Sequence, residues 1–166
     1  MIVLGIDPGT AITGYGLIRE AEDRSLNVVD YGVILTPAQA TMPERLLLLN
    51  QKLKEIILLH HPTSGAVEKL FFQRNVKTAL SVGQARGVII FTMAEAGLPV
   101  FEYSPLEVKQ AVSGYGGADK FQVQQMVRTL LDLDVIPQPD DAADSLAIAI
   151  CHIHHNRLHS LVEQSE

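Results

Sequence analysis

Four carboxylates in this 166-residue chain are placed where they could meet. Asp7 and Glu68 each close a short apolar run, whereas Asp141 and Asp144 lie three residues apart at the head of a longer apolar segment. Buried like charges repel each other and are costly to desolvate, so core packing gives no reason for them. Divalent cations remove that cost, because carboxylate oxygens are ligands that Mg²⁺ prefers. The four acids therefore predict a metal site, and two ions in one site are the usual clamp for phosphodiester displacement.

The elements that must position these acids are predicted from the periodicity of apolar residues and from turn signals. The predicted strands are residues 2–7, 14–19, 27–35, 65–68 and 98–103, and the predicted helices are residues 45–60, 76–96, 105–114, 120–131 and 141–158. Two capping boxes, Thr41 to Glu44 and Ser104 to Glu107, mark helix starts, and Asp119 and Asp140 are further candidate caps. Three strands followed by alternating helices and strands predict an α/β fold: a mixed five-stranded sheet with helices on both faces.

Length and composition predict one compact domain, residues 1–158, followed by a C-terminal tail, residues 159–166. Hydrophobic residues make up 47% of the chain, which is too high for a disordered protein. No apolar run reaches the roughly 18 residues of a membrane span, so no membrane partner is expected. The start of the chain lacks the features of a signal peptide. The single cysteine, Cys151, cannot form an internal disulfide, which favours a reducing, cytoplasmic location.

The net charge of −6 is unevenly distributed along the chain. Residues 69–128 carry seven basic and four acidic side chains, a balance of +3, so the rest of the chain carries −9. An acidic protein is an unusual nucleic-acid binder, but a basic central stretch suits a phosphate backbone. A solvated helix face could produce the same asymmetry.

Two groups of residues in that stretch could contact nucleic acid. Exposed aromatic rings beside basic and amide side chains suit unstacked bases and phosphates, and the short loop after Glu68 has this pattern. Its candidates are Phe71, Phe72, Arg74, Asn75 and Lys77. The alternative is that both phenylalanines belong to the core of the next helix. The second group is Lys109, Lys120 and the glycine-rich turn 114–117, where glycines would let the backbone approach phosphate. Its alternative is two solvated lysines and an ordinary turn.

The histidines near the C-terminus could be misread as a metal tract. His152, His155 and His159 would share a helical face, but neither cysteine nor carboxylate spacing typical of a zinc site accompanies them. The sequence therefore predicts a surface helix end there.

Taken together, these residues resemble the RuvC family of Holliday junction resolvases over nearly the whole chain. The matching segments are Ile2–Thr10, Val67-Glu68 with Phe71-Phe72, Tyr103–Gln110, Lys120–Val127 and Asp141–Ile150. The opening motif alone is weak, because several nucleotide-binding families share an Asp-x-Gly-Thr turn. The ordered combination is specific.

The resemblance implies a ribonuclease H-like fold and a bacterial homodimer that cuts four-way DNA junctions by symmetric paired nicks in recombination and repair. It implies two Mg²⁺ ions per active site, with Mn²⁺ as a substitute, and products with 5′-phosphate and 3′-hydroxyl ends. Asp7, Glu68, Asp141 and Asp144 match the family's catalytic acids. Phe71 matches an aromatic that engages opened bases, and the match of Lys109 and Lys120 puts both beside the scissile phosphate. RuvA and RuvB are implied partners.

Three other readings compete with this one. The first is a related nuclease acting on RNA–DNA hybrids or structured RNA. The second is an ATPase module of the sugar-kinase and actin type, which needs a duplicated domain that 166 residues without an internal repeat do not supply. The third is a non-catalytic DNA-binding or dimerisation module, which four intact acids argue against.

Overall fold

A computed structural model of the protein describes residues 1–69 and 76–163. In this part of the chain the elements are β1 (Ile2–Asp7), β2 (Ile12–Glu20), β3 (Leu26–Leu35), α1 (Met42–His60), β4 (Ser64–Glu68), α2 (Val76–Glu95), β5 (Val100–Tyr103), α3 (Pro105–Ser113), α4 (Lys120–Leu130) and α5 (Asp140–Glu163). The strands form one mixed sheet in the order β3-β2-β1-β4-β5. Strand β1 is central, antiparallel to β2 and parallel to β4. The predicted mixed five-stranded sheet is confirmed.

Each face of the sheet carries its own hydrophobic core. On one face, Val3, Ile18 and Ala66 pack with apolar residues of α3, α4 and α5. On the other face, Leu4, Leu17 and Val67 pack with α1 and α2. Successive side chains of a strand point to opposite faces, so the apolar runs of β1 and β4 supply both cores at once. None of the described helices is long and apolar enough to cross a membrane.

Helix α5 lies directly on β1 and β2 because glycines face it. A Cβ atom built on Gly5 would lie 2.1 Å from the Ser145 carbonyl oxygen, and one on Gly14 would lie 2.0 Å from the Asp141 carbonyl oxygen. A Cβ on Gly16 would lie 2.8 Å from the Leu146 side chain. Only glycine leaves room for such an approach between a helix and a strand. These contacts fix the height of α5 above the sheet.

The predicted element boundaries need small corrections. Helix α5 continues to Glu163, so residues 159–163, which the sequence assigned to a tail, are helical. Asp140 is the first residue of α5, and its carboxylate accepts hydrogen bonds from other side chains instead of capping the helix. Ser104 and Asp119 cap α3 and α4 as predicted, each accepting a hydrogen bond from the backbone N–H three residues later.

The buried middle of α5 contains a hydrogen-bonded histidine, His152, whose burial the sequence did not predict. His152 is fully buried, not part of a surface helix end. Its Nε2 accepts a hydrogen bond from the Asn156 amide at 3.1 Å and lies 3.1 Å from Ser64 Oγ, whereas its Nδ1 lies 2.8 Å from Tyr103 Oη. Burial, with a smaller contribution from His155, lowers the pKa of His152 to about 4. The ring is therefore a neutral core side chain.

The neighbouring Cys151 is also a core residue. Its side chain is fully buried and its thiol is free. Burial raises the pKa of the Cys151 thiol to about 12, with the charge of Glu107 adding to the effect. The thiol is therefore structural, as the sequence indicated.

Candidate active site

The strand pairing brings Asp7 and Glu68 together. Ile6 on β1 pairs with Val67 on the parallel strand β4. Asp7 and Glu68 are the next residues of these strands, so the two acids lie side by side at the strand ends. Asp7 shares a strand face with Gly5, on which a Cβ atom would point at the backbone of α5. Glu68 shares a face with Ala66, which belongs to the core beneath α5. Both carboxylates therefore project toward the N-terminus of α5 at one edge of the sheet.

Helix α5 brings the second pair of acids to the same edge. Its first turns contain Asp141 and Asp144. Gly14 pairs with Asp7 across β2 and β1, and it also lies against the backbone of Asp141. The start of α5 therefore lies beside the end of β1. The apolar residues that follow Asp144 enter the core, as the sequence indicated. The four predicted acids are thus gathered at one place by two strands and one helix.

Lys120 forms ion pairs with two acids at the start of α5. Its Nζ atom lies 3.1 Å from Asp144 Oδ2 and 3.1 Å from Asp140 Oδ2. Asp140 also accepts a hydrogen bond from Gln124 Nε2 at 3.1 Å. Asp140 therefore ties α4 to α5 and holds Lys120 next to Asp144. The sequence singled out Lys120 but read Asp140 only as a helix cap.

The pKa shifts show that the negative charges are incompletely compensated. Burial, followed by repulsion from Glu68, Asp144 and Asp141, raises the pKa of Asp7 to about 8, although Lys120 opposes the rise. Burial raises the pKa of Glu68, and Asp144 adds to that rise. Burial also raises the pKa of Asp144 despite its hydrogen bond to Lys120. In contrast, hydrogen bonds from Lys120 and Gln124 lower the pKa of Asp140.

Neighbouring groups hold the two strand ends in position. Thr13 Oγ1 donates to the Gly9 carbonyl at 2.6 Å, which fixes the turn after Asp7. Arg86 Nε donates to the Glu68 carbonyl at 3.2 Å, and the Arg86 guanidinium also pairs with Glu102 on β5. Arg86 was not among the residues that the sequence singled out, because an arginine within a helix carries no distinctive signal.

The donor set suits a hard divalent cation. All four acids offer oxygen atoms, and the raised pKa values of Asp7, Glu68 and Asp144 reflect burial together with repulsion, both of which a bound cation would offset. Among the described residues, no three histidine, cysteine, aspartate or glutamate side chains already form a metal-binding group. The ammonium group of Lys120 contacts Asp144 Oδ2, a carboxylate oxygen that a metal ion would use.

The predicted DNA-binding residues have different outcomes. Lys109 is half-buried on α3, and its charge lowers the pKa of Glu68, which puts it close to the acids. Residues Phe71, Phe72, Arg74 and Asn75 lie outside the described residues, as does the side chain of Lys77. The glycine-rich turn has packing reasons for its composition: Gly114 is the C-cap of α3 with a φ of 74°, and a Cβ on Gly117 would lie 2.5 Å from the Tyr115 ring.

A mixed β3-β2-β1-β4-β5 sheet with clustered acids at the ends of β1 and β4 defines a nuclease of the ribonuclease H-like class. A family model described as "Crossover junction endodeoxyribonuclease RuvC" matches residues 3–152. The chain belongs to the RuvC family.

Curated relatives and solved structures agree with this assignment. The RuvC protein of Desulfitobacterium hafniense is 61% identical over 154 residues, covering 93% of each chain. That of Syntrophomonas wolfei is 55% identical over 165 residues, covering 99% of this chain and 95% of the relative. Thermus thermophilus RuvC in complex with a Holliday junction substrate superposes with a TM-score of 0.87 at 34% identity, covering 95% of this chain and 96% of that one.

A more distant structure supports the fold alone. The yeast mitochondrial Holliday junction resolvase Ydc2 matches with a TM-score of 0.71 at 14% identity, over 99% of this chain and 84% of that one.

Proposed function

We propose that this protein resolves four-way DNA junctions by hydrolysing one phosphodiester bond in each of two strands, in homologous recombination and DNA repair. The observation that carries the proposal is the convergence of Asp7, Glu68, Asp141 and Asp144 on one sheet edge, in a chain that belongs to the RuvC family. Family members are metal-dependent nucleases, and the relative solved with a Holliday junction has the same fold.

The proposed cofactor is Mg²⁺, two ions per active site, with Mn²⁺ as a substitute. When bound, the ions would supply Lewis-acid chemistry that activates water and stabilises the leaving 3′ oxygen, so that the products carry 5′-phosphate and 3′-hydroxyl ends. Asp7, Glu68, Asp141 and Asp144 would hold them. Lys120, positioned by Asp140, would stabilise the negative charge that develops on the phosphate. Lys109, near Glu68, would contact the strand.

The proposed assembly is a homodimer. Helix α2 exposes a stripe of residues with heptad-like spacing, namely Leu80, Gln84, Gly87, Phe91 and Ala94. Leu80 is 65% exposed and Phe91 is 61% exposed, which is unfavourable for a monomer in water. Two copies packed along α2 would bury both stripes. Their twofold axis would match that of an opened junction and supply one active site for each cut strand.

The wider setting is proposed from the family resemblance. RuvA and RuvB are the partners that would deliver the junction. A cytoplasmic location accords with the free thiol of Cys151, which a reducing compartment preserves.

Cleavage of three labelled substrates in Mg²⁺ tests the function: a mobile four-way DNA junction, linear duplex DNA and an RNA–DNA hybrid. We expect paired, symmetric nicks confined to the junction. Asp7→Asn should abolish the nicks and leave junction binding largely intact. Cutting of the RNA–DNA hybrid instead would indicate that the protein is a nuclease that removes RNA. Cutting of the junction by Asp7→Asn would refute the proposed active site.

A further inference from the structure

The carbonyl group of Glu68 is the last backbone acceptor of β4 that faces β1. The N–H of Lys69 donates to a carbonyl of β5, and the backbone groups of successive strand residues point in opposite directions, so those of Glu68 face β1. Continuing the parallel register from Ile6 and Val67 would pair this carbonyl with the N–H of residue 8. Residue 8 is Pro8, which has no N–H. The ladder between β1 and β4, both of which the structure describes, therefore gives the Glu68 carbonyl no donor.

Arg86 supplies a donor from the face of the sheet that α1 and α2 cover. Its Nε donates to the Glu68 carbonyl at 3.2 Å. Its guanidinium also pairs with Glu102 on β5, which lies opposite Val67 in the sheet and on the same face. The side chain of Arg86 is only 20% exposed. The guanidinium therefore clamps the end of β4 to β5 at the edge where the acids meet.

This clamp acts on the backbone of Glu68. The charges that lower the pKa of Glu68 are those of Lys109 and Lys120. A strand-end carbonyl without a donor is unfavourable, and fixing it fixes the direction in which the Glu68 side chain leaves the backbone. Groups that orient a metal ligand from behind typically change metal affinity or activity 10–100-fold when they are removed. Arg86 stands in that relation to Glu68.

We propose that Arg86 is a positioning residue for the metal site. It replaces the donor that Pro8 cannot supply and so holds Glu68 in place beside Asp7. A divalent cation shared by the two acids depends on their separation, so Arg86 sets the affinity for the metal. The role of Arg86 rests on the proposed function, because it assumes that Glu68 binds a metal ion.

Binding of Mn²⁺ alone tests the role of Arg86. It is measured without DNA, from the loss of the electron spin resonance signal of the free ion. Arg86→Met keeps an apolar stem and removes the donors, and we expect it to weaken Mn²⁺ binding about tenfold. The Mg²⁺ concentration for half-maximal junction cutting should rise by a similar factor, and cutting should recover almost completely at saturating Mg²⁺. A residue that only stabilised the fold would leave both metal concentrations unchanged.

Arg157→Met is the matched control, because Arg157 makes the same two kinds of contact elsewhere. It donates to the Glu20 carboxylate and to the Arg24 carbonyl at 2.6 Å each, and its side chain is 24% exposed. The N–H of Glu20 donates to the carbonyl of Met1, so this arginine lies at the opposite end of β1 from the acids. Arg157→Met should lose comparable stability and keep its affinity for Mn²⁺.

Glu102→Ala tests the same clamp through a residue whose side chain is 38% exposed, so the outcome does not depend on how well Arg86→Met folds. It removes one of the two partners of the guanidinium and leaves the Arg86 donors. Mn²⁺ binding should weaken in the same direction but by a smaller factor. Unchanged binding in Glu102→Ala would overturn the inference.

Three further results would also overturn it: equal Mn²⁺ affinity in Arg86→Met and the unaltered protein, an equal loss in Arg157→Met, or a loss of cutting in Arg86→Met that saturating Mg²⁺ does not restore. Asp7→Asn should abolish Mn²⁺ binding, which shows that the signal reports this site. If the unaltered protein cuts junctions, these results refute the role of Arg86 alone. If it neither binds Mn²⁺ at this site nor cuts junctions, the proposed function fails.

Discussion

At the scale of single residues, Lys120 has two opposing effects on the acidic cluster. Its ammonium group neutralises part of the charge of Asp144 and Asp140, at 3.1 Å from each. Burial alone would lower the pKa of Lys120, but its hydrogen bonds to these two acids raise it overall, so the side chain stays charged. The same positive charge repels an incoming cation and attracts the phosphate of a substrate. We therefore expect Lys120 to weaken metal binding and to favour the transition state.

We predict that Lys120→Met lowers the rate of junction cutting at saturating Mg²⁺ roughly 100-fold, because one preformed charge contact to the reacting phosphate is lost. The Mg²⁺ concentration for half-maximal activity should fall, because a repelling charge is gone. Rates across a Mg²⁺ titration measure both quantities. Lys52→Met is the control, since Lys52 is similarly exposed and pairs with Glu55 on α1. A higher Mg²⁺ requirement in Lys120→Met would contradict this account.

His152 makes folding depend on pH. Its pKa is about 4 in the folded protein and about 6.5 when exposed, so the unfolded chain binds the proton more tightly. The stability from the neutral ring is complete above pH 6.5 and is lost as the pH falls toward 4. At 1.36 kcal/mol per pKa unit, the loss is about 3 kcal/mol.

Urea unfolding between pH 7 and pH 4 checks this prediction. His152→Gln cannot take up the proton, so its free energy of unfolding should fall less steeply with decreasing pH than that of the unaltered protein. Slopes are compared because the substitution also disturbs contacts to Ser64, Tyr103 and Asn156. His159→Gln, at an exposed position of the same helix, is the control. Equal slopes in the unaltered protein and His152→Gln would refute the assignment.

At the scale of secondary-structure elements, the geometry of the candidate active site depends on how closely α5 approaches the sheet. The approach is set by backbone contacts at Gly5 and Gly14, which flexible side chains cannot relieve. We predict that Gly5→Ala destabilises the fold by about 2–3 kcal/mol and lowers cutting, because α5 must lift and carry Asp141 and Asp144 away from Asp7. Denaturant unfolding and junction cleavage measure the two effects.

Gly65 on the neighbouring strand is the matched control. A Cβ on Gly65 would lie 2.5 Å from the sulfur atom of Met93, at the flexible end of a side chain that can move. Gly65→Ala should therefore cost less stability than Gly5→Ala and leave cutting nearly unchanged. If the two substitutions cost the same, the distinction between backbone and side-chain contacts is wrong.

The sequence predicted the elements because its local signals were strong. Apolar runs, capping boxes at Thr41 and Ser104, and the change of period after β3 predicted the five strands and five helices of the described residues to within a few residues. The long extension of α5 beyond Leu158 was missed, because its polar residues resemble a tail. Of the site, the four acids were predicted from their positions at element ends.

The rest of the site depends on tertiary contacts that local signals do not encode. Asp140 resembled a helix cap, and its pairing with Lys120 becomes visible only when α4 packs on α5. Arg86 supports Glu68 from a helix on the other side of an undescribed segment. The role of Gly5, Gly14 and Gly16 can be recognised only when it is known which face of the sheet α5 covers. The alternation of side chains along a strand identifies that face only after the strand register is known.

At the scale of the whole molecule, two cuts in one junction require two active sites held in fixed relation. We predict that Phe91→Glu, in the exposed stripe of α2, converts a dimer to a monomer, because a charge in the middle of an apolar helix interface is costly to bury. Light scattering measures the mass, and a cruciform plasmid assay counts paired against single nicks. We expect paired nicking to be lost.

The control for that prediction is Leu158→Glu, which places the same charge at an equally exposed residue outside the stripe. It should remain dimeric and nick both strands. A Phe91→Glu protein that stays dimeric would remove α2 from the interface.

The buried Cys151 makes this chain suitable for site-specific labelling. The sequence has no other cysteine. The Cys151 thiol is fully buried, and burial raises its pKa to about 12. Maleimide reagents need an accessible thiolate, so we expect them not to react with it. A cysteine introduced at an exposed position such as Thr78 or Ser160 would then be the reactive thiol of each subunit. Fluorophores attached there would report subunit exchange and strand opening by energy transfer, without a prior round of cysteine removal.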